Sequence, residues 1–182
     1  MNNRPISSPS LLLSMLVVFL APPSLAGSEP ESGAALLLPF KQQLMSALKA
    51  GLEEGPDAAI DICRIEAPTI ASNLSNDGVA MGRTSHRLRN PDNDGPAWAT
   101  VVLEQYLQAG AELAPQTVVL DDGQTGYVEP IVTQQQCLAC HGAELSPVVQ
   151  AALDTHYPGD QATGFEVGDL RGVFWVSYPA NP

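Results

Sequence analysis

The chain has 182 residues, of which 45% are hydrophobic and 15% charged. That is enough apolar material for one ordinary domain with a real core, and it excludes an intrinsically disordered chain. Twenty acidic residues against eight basic ones give a formal net charge of −12, a surface that repels nucleic acid and anionic membrane and favours basic partners.

The first segment reads as a targeting signal. Arg4 supplies a positive n-region, Leu11 to Ala21 is an apolar run closed by Pro22 and Pro23, and Ser24-Leu25-Ala26 is a small-x-small cleavage site. The run is shorter than the ~20 residues that cross a bilayer, so a cleaved secretory peptide over 1–26 is expected. The mature domain is then 27–182, exported or periplasmic, with no stable membrane span. No Cys lies near the cleavage site, so a lipid-modified N-terminus is not expected. Losing Arg4 leaves seven basic residues against 20 acidic, a net of −13. Three cysteines is an odd number for an oxidising compartment, and one is left over however the others pair.

Leu37, Phe40, Leu44, Leu48 and Leu52 fall at helical spacing, with Pro39 expected in the first turn. Gly55-Pro56-Asp57 ends this helix and starts a second, striped by Ile60, Cys63, Ala67, Ile70 and Leu74, which Pro68 should kink. Val79 to Leu88 reads as extended and Asn90 to Pro96 as a loop. A third helix carries Trp98, Val102 and Tyr106. Thr117 to Leu120 and Thr125 to Val132 flank Asp121-Asp122-Gly123-Gln124, a hairpin signal. Ser146 to Thr155 predicts a short helix and Tyr157 to Leu170 a loop. The apolar run Gly172 to Tyr178 predicts a central strand. Helices first and strands later imply an α+β domain around an antiparallel sheet.

Cys137-Leu138-Ala139-Cys140-His141 is C-x-x-C-H, the attachment signature of a c-type haem. Two thiols three positions apart reach two vinyl groups on one porphyrin edge, and the adjacent imidazole serves as proximal iron ligand. Gly142 follows, where a larger side chain would crowd the macrocycle. A thioredoxin-like pair belongs early in a βαβ pattern, and this motif sits late, after a hairpin. A zinc site needs a second close ligand pair, and only scattered Cys63, His86 and His156 remain. A structural disulfide leaves His141 unexplained.

For the second axial position the sequence offers Cys63, His86, His156, Met45 and Met81. By pattern alone Cys63 is equally a small buried hydrophobe. His86 lies beside Thr84 and Leu88, opposite Arg83, Arg87 and Arg89, on an extended stretch whose alternation allows it to face inward; the commoner reading of such a His is hydrogen-bonded structure. His156 is a cation at a helix C-terminus, and the two Met residues read as core filler. The simplest reading of Arg83, Arg87 and Arg89 is a solvated strand face; the alternative is a counter-charge for haem propionates.

Several stretches in order resemble a known family. They are Cys63-Arg64-Ile65-Glu66-Ala67-Pro68, Arg83-Thr84-Ser85 with Arg89-Asn90-Pro91-Asp92-Asn93, Cys137 to Gly142, Tyr157 to Gly164, and Gly168-Asp169-Leu170-Arg171-Gly172. The family is the PAS-like single-haem c-type cytochrome domain, catalogued as of unknown function, with His/Cys axial ligation. The resemblance covers roughly Leu52 to Pro179. It implies a PAS-like central antiparallel sheet flanked by helices, and His141 with Cys63 as the axial pair. It also implies redox or gas sensing. The sequence shows no second membrane segment, coiled-coil linker or kinase-like region, so direct signalling by this chain is not expected.

The expectation is therefore an exported monohaem c-type cytochrome holding one covalent haem c through Cys137, Cys140 and His141, with Cys63 as second axial ligand. It would act as an electron carrier or redox-responsive module for a partner with a basic surface. The alternatives are a haem-based sensor of CO or NO working through a separate partner, and a peroxidase-type enzyme, for which no acid/base pair is recognisable.

Overall fold

The computed structural model describes residues 1 and 32–180. The leader read over 1–26 otherwise lies outside the described residues. Helix α1 (Gly33–Glu54) begins behind Ser32, whose side chain accepts from the Ala35 N–H at 3.2 Å. Its buried stripe is Leu37, Phe40 and Leu44. Pro39 lies seven residues in rather than in the first turn. The carbonyl that its missing N–H deprives belongs to Ala35, which is exposed, so water replaces the bond.

Gly55 ends α1, donating to Gly51 O at 3.0 Å with φ 140°. Pro56 then opens α2 (Pro56–Asp61) at a position where its missing N–H costs nothing. The disruption expected from Pro68 takes a particular form. A π-turn over Ile62–Glu66 precedes α3 (Ala67–Leu74), and the Ala67 N–H reaches back five residues to Ile62 O.

Strand β1 (Ala80–Thr84) is shorter than the extended run 79–88 predicted. Ser85 diverts the chain: its hydroxyl donates to Arg171 O at 2.6 Å and accepts from Arg87 N at 3.1 Å, a local turn that competes with the ladder. A single 3-10 turn (Pro91–Asn93) and α4 (Ala97–Tyr106) follow. The hairpin is β2 (Gln116–Val119) and β3 (Thr125–Val132). Two short helices, α5 (Leu138–His141) and α6 (Pro147–His156), precede β4 (Leu170–Tyr178).

The sheet is antiparallel throughout in the order β1-β4-β3-β2. The apolar β4 is thus an interior strand, as its sequence required. Leu37, Phe40 and Leu44 of α1 and Ile70 of α3 pack with Met81 and Val176 on one face. Val102, Leu103 and Tyr106 of α4 pack with Val128 and Val173 on the other. The domain is α+β, with the sheet flanked by helices. Among the described residues no helix is long and apolar enough to cross a membrane.

Two features prepare one end of the sheet. Gly172 pairs with Ile131 and Leu170 with Val132, so Arg171 is the extra residue of a β-bulge. Three residues apart, Leu170 and Val173 belong on opposite faces of a regular strand; the bulge puts both in the α4-side cluster and turns Arg171 away from it. Gly172 is needed there, because a Cβ would lie 2.2 Å from Thr84 O. A third cluster at this end joins Ile60 of α2 to Val149, Leu153 and Tyr157, with Cys140 packed against it.

Candidate functional site

Cys137 closes a 3-10 turn (Gln135–Cys137), and Cys140 and His141 lie on the single turn of α5. So short a helix has no intrinsic stability, and the loop 157–169 holds it in place. Phe165 N donates to His141 O and Gly164 N to Gly142 O, each at 2.9 Å. The Arg89 Nη2 donates to Cys140 O at 2.5 Å and to Ala162 O at 3.3 Å.

Asp160 organises that loop. One carboxylate oxygen accepts from Ala162 N at 2.7 Å, and the other takes Arg89 at 3.0 Å in an ion pair whose side chains are 9% and 10% exposed. The turn so formed aims the Ala162 carbonyl at the imidazole of His141, 2.7 Å from Nδ1. An acceptor there makes Nδ1 the protonated nitrogen and leaves the Nε2 lone pair free, the tautomer suited to metal ligation. Burial, then the charges of Arg171 and Arg89, push the His141 pKa down to about 3, against a smaller raising effect of the Ala162 carbonyl. The ring is neutral at any ordinary pH.

Gly142 is required for a nearer reason than the one read from the sequence: a Cβ would lie 2.7 Å from Leu138 O, which accepts from Gly142 N. Cys63, Cys137 and Cys140 are all free thiols, each partly buried. Burial raises the Cys140 pKa, partly opposed by Arg89, and Cys63 and Cys137 raise it further. All three sulfurs therefore share one neighbourhood. Cys63 also reaches Tyr157 and Arg171 electrostatically.

The π-turn explains how Cys63 is presented. Ala67 N–H, the α-helical donor for Cys63 O, goes to Ile62 O, and the next residue, Pro68, has no N–H. The Cys63 carbonyl is taken instead by the Arg83 Nη2 at 3.4 Å. Arg83, at the end of β1, thereby ties this turn to the sheet.

The other axial candidates lie elsewhere. Met81 is buried in the α1-side core and Met45 is exposed on α1. His156 is exposed, 3.9 Å from Asp61. His86 does not face inward: the chain leaves the sheet after Thr84, the strand alternation stops, and the imidazole is exposed with its ring centroid 5.9 Å from that of Phe165. Its pKa is lowered by partial burial and by Arg87 and Arg171.

The arginines are not one solvated face. Arg87 donates to the carbonyls of Gln161 and Thr163, and its guanidinium lies 4.4 Å from the Phe165 ring centroid. Arg89 is the buried partner of Asp160. Sequence reasoning gave no role to Asp160, the Ala162 carbonyl, Phe165 or Arg171. The stretches 157–164 and 168–172 were the available signals, and a backbone acceptor has no side-chain identity to read.

Among the described residues no three His, Cys, Asp or Glu side chains stand close enough to hold a metal ion. The arrangement offers a neutral imidazole with one free nitrogen and nearby free thiols. No curated protein matches the chain. A solved structure described as that of the cyanobacterial heme-protein Tll0287 is similar at 28% identity, over 64% of this chain and 71% of that one, with a TM-score of 0.53. A family model described as Tll0287-like matches residues 28–179, and on that match the chain belongs to the Tll0287-like family.

Proposed function

We propose that the protein carries one covalent c-type haem, bound through Cys137 and Cys140, with His141 and Cys63 as axial ligands, and serves as a redox-active module outside the cytoplasm. The observation that carries the reading is His141, neutral, anchored at Nδ1 by Ala162 O and free at Nε2, with two thiols at attachment spacing beside it. The residues fit the group. Two axial donors on opposite sides of a porphyrin need no compact ligand cluster, and the two attachment sulfurs stand with Cys63 in one neighbourhood. The heme-protein described for the similar structure supports the same reading.

The bound group would supply a one-electron Fe(III)/Fe(II) couple. The chain's own contribution is positional and electrostatic. Ala162 O fixes the ring plane and tautomer of His141. Asp160 and Arg89 fix Ala162. The π-turn before Pro68 presents Cys63, and coordination would remove the liability of an unpaired thiol in an oxidising compartment. Thiolate charge stabilises Fe(III) over Fe(II), so a low reduction potential is expected. A differential of a few kcal/mol corresponds to roughly 100–200 mV.

The test is mass spectrometry and spectroscopy of protein made with c-type maturation. One haem should survive denaturation and acid–acetone extraction. A chain of unmodified mass, or one holding zinc, ends the reading. Cys63→Ala should keep the haem, lose the low-spin thiolate spectrum, bind CO or NO readily and show a raised potential. An unchanged Cys63→Ala spectrum, with the low-spin state abolished in His86→Ala, transfers the ligand role to His86.

A further inference from the structure

Four of the chain's eight Lys and Arg residues, Arg83, Arg87, Arg89 and Arg171, gather at the end of the sheet where β1 stops and β4 begins. Their guanidinium groups are not equally engaged. Among the described residues Arg89 has one carboxylate partner, Asp160, and two backbone carbonyls. Arg87 has two carbonyls and the Phe165 ring. These two close the loop over His141 through their Nε and Nη2 donors.

Arg83 and Arg171 differ. Among the described residues neither has a carboxylate partner, a lack that Arg87 shares, but each makes fewer or longer hydrogen bonds than Arg87 does. Arg83 makes one long hydrogen bond, 3.4 Å to Cys63 O. Arg171 uses Nη1 on the Ser85 hydroxyl at 2.8 Å and on Arg87 O at 3.5 Å, and its guanidinium also lies 5.2 Å from the Phe165 ring centroid. Its Nε is buried with no partner among the described residues. A buried guanidinium donor without an acceptor is costly, and like charges in one partly buried place add to that cost. Burial chiefly, and then the nearness of Arg83 and Arg89, lower the Arg171 pKa to about 10. The β-bulge at Arg171 places Leu170 and Val173 in the α4-side core and leaves Arg171 out of that cluster.

What such a pair lacks is anions. The guanidinium fork matches a carboxylate in geometry as well as charge, and a porphyrin of the c type carries two carboxylates on the edge opposite its thioether vinyls. We propose that Arg83 and Arg171 form the site that takes the haem propionates, with Arg87 and Arg89 as the frame behind them; this rests on the haem reading above. Arg83 then touches both the Cys63 turn and the cofactor edge, linking the second axial ligand to the propionate side.

The experiment uses matured holoprotein and the variants Arg83→Gln, Arg171→Gln and Arg171→Lys, with the distant, exposed Lys49→Gln as a control for net charge. Haem content is read by mass, the propionate bending band by resonance Raman, and the Fe(III)/Fe(II) equilibrium by redox titration. Both Gln variants should keep haem, shift the propionate band, and lose about tenfold in preference for Fe(II), about 59 mV, because a cation beside the ring favours the reduced metal. Arg171→Lys should move the band while nearly keeping the potential, and it preserves a readout if Arg171→Gln fails to fold. Lys49→Gln should move neither. Wild-type band and potential in Arg83→Gln and either Arg171 variant, with haem attached, overturn the proposal. So does a wild-type potential that responds to added phosphate at fixed ionic strength and loses that response in the variants, which would mark a site for a free anion. A wild-type chain of unmodified mass overturns the haem reading itself and is distinct from either result.

Discussion

On His141 a proton and the proposed metal would compete for the same nitrogen, and the protein disfavours the proton. The unfolded imidazole titrates near 6.5 and the folded one at about 3. Between those values the unfolded chain binds more protons, so this residue's contribution to stability is complete above pH 6.5 and is lost as pH falls toward 3. The slope from one group is at most about 1.4 kcal/mol per pH unit. Haem-free protein should therefore lose stability steeply between pH 6.5 and 4.5, and His141→Gln, whose amide can still donate to Ala162 O, should lose less over the same interval. Urea midpoints at the two pH values decide it, and equal losses in both proteins would sink the assignment of that slope to His141. Of the residues concerned, Cys137, Cys140 and His141 were legible in the sequence because their spacing is chemistry. Cys63 entered the candidate set through the odd thiol count, the apolar stripe and the family resemblance. The option of an inward-facing His86 extended the alternation past the point where Ser85 bends the chain.

At the scale of elements, the strands and longer helices followed from local signals: β3 and the start of α2 lie where turn residues and periodicity put them. The bulge at Arg171, the π-turn at Cys63 and the clamp of loop 157–169 did not. Each depends on a partner far along the chain, and none changes the hydrophobic pattern enough to show. The clamp is the most testable. Arg89 and Asp160 are both about nine-tenths buried, and removing one charge strands the other. Asp160→Ala should cost about 3–5 kcal/mol, a fall in melting temperature of about 10 °C for a domain of this size. It should also free the Ala162 carbonyl and broaden the His141 ring resonances. A melting temperature within a degree or two of wild type would mean that the loop is held by its backbone bonds alone.

For the whole molecule the question is how an acidic protein with a basic site meets its partner. The mature chain expected from cleavage after Ala26 carries a net charge of −13, and at long range that total governs encounter. A basic redox partner should be steered in, and its electron-transfer rate should fall roughly tenfold or more as ionic strength rises from about 0.01 to 0.5 M, where the Debye length shrinks to a few ångströms. An acidic partner should be slowed at low salt and relieved by it. The local picture complicates this, since four of the basic residues crowd the end of the sheet that bears His141. If those cations are spent on two propionates and Asp160, the end is close to neutral and the global charge dominates. If they remain open, an acidic partner docks there despite the net repulsion. Stopped-flow rates with one basic and one acidic soluble acceptor, across the salt range, separate the two. A negative salt slope with the basic acceptor and a positive one with the acidic acceptor is the expected result. Fast, salt-weakened reaction with the acidic acceptor would mean that the arginine end, and not the net charge, selects the partner.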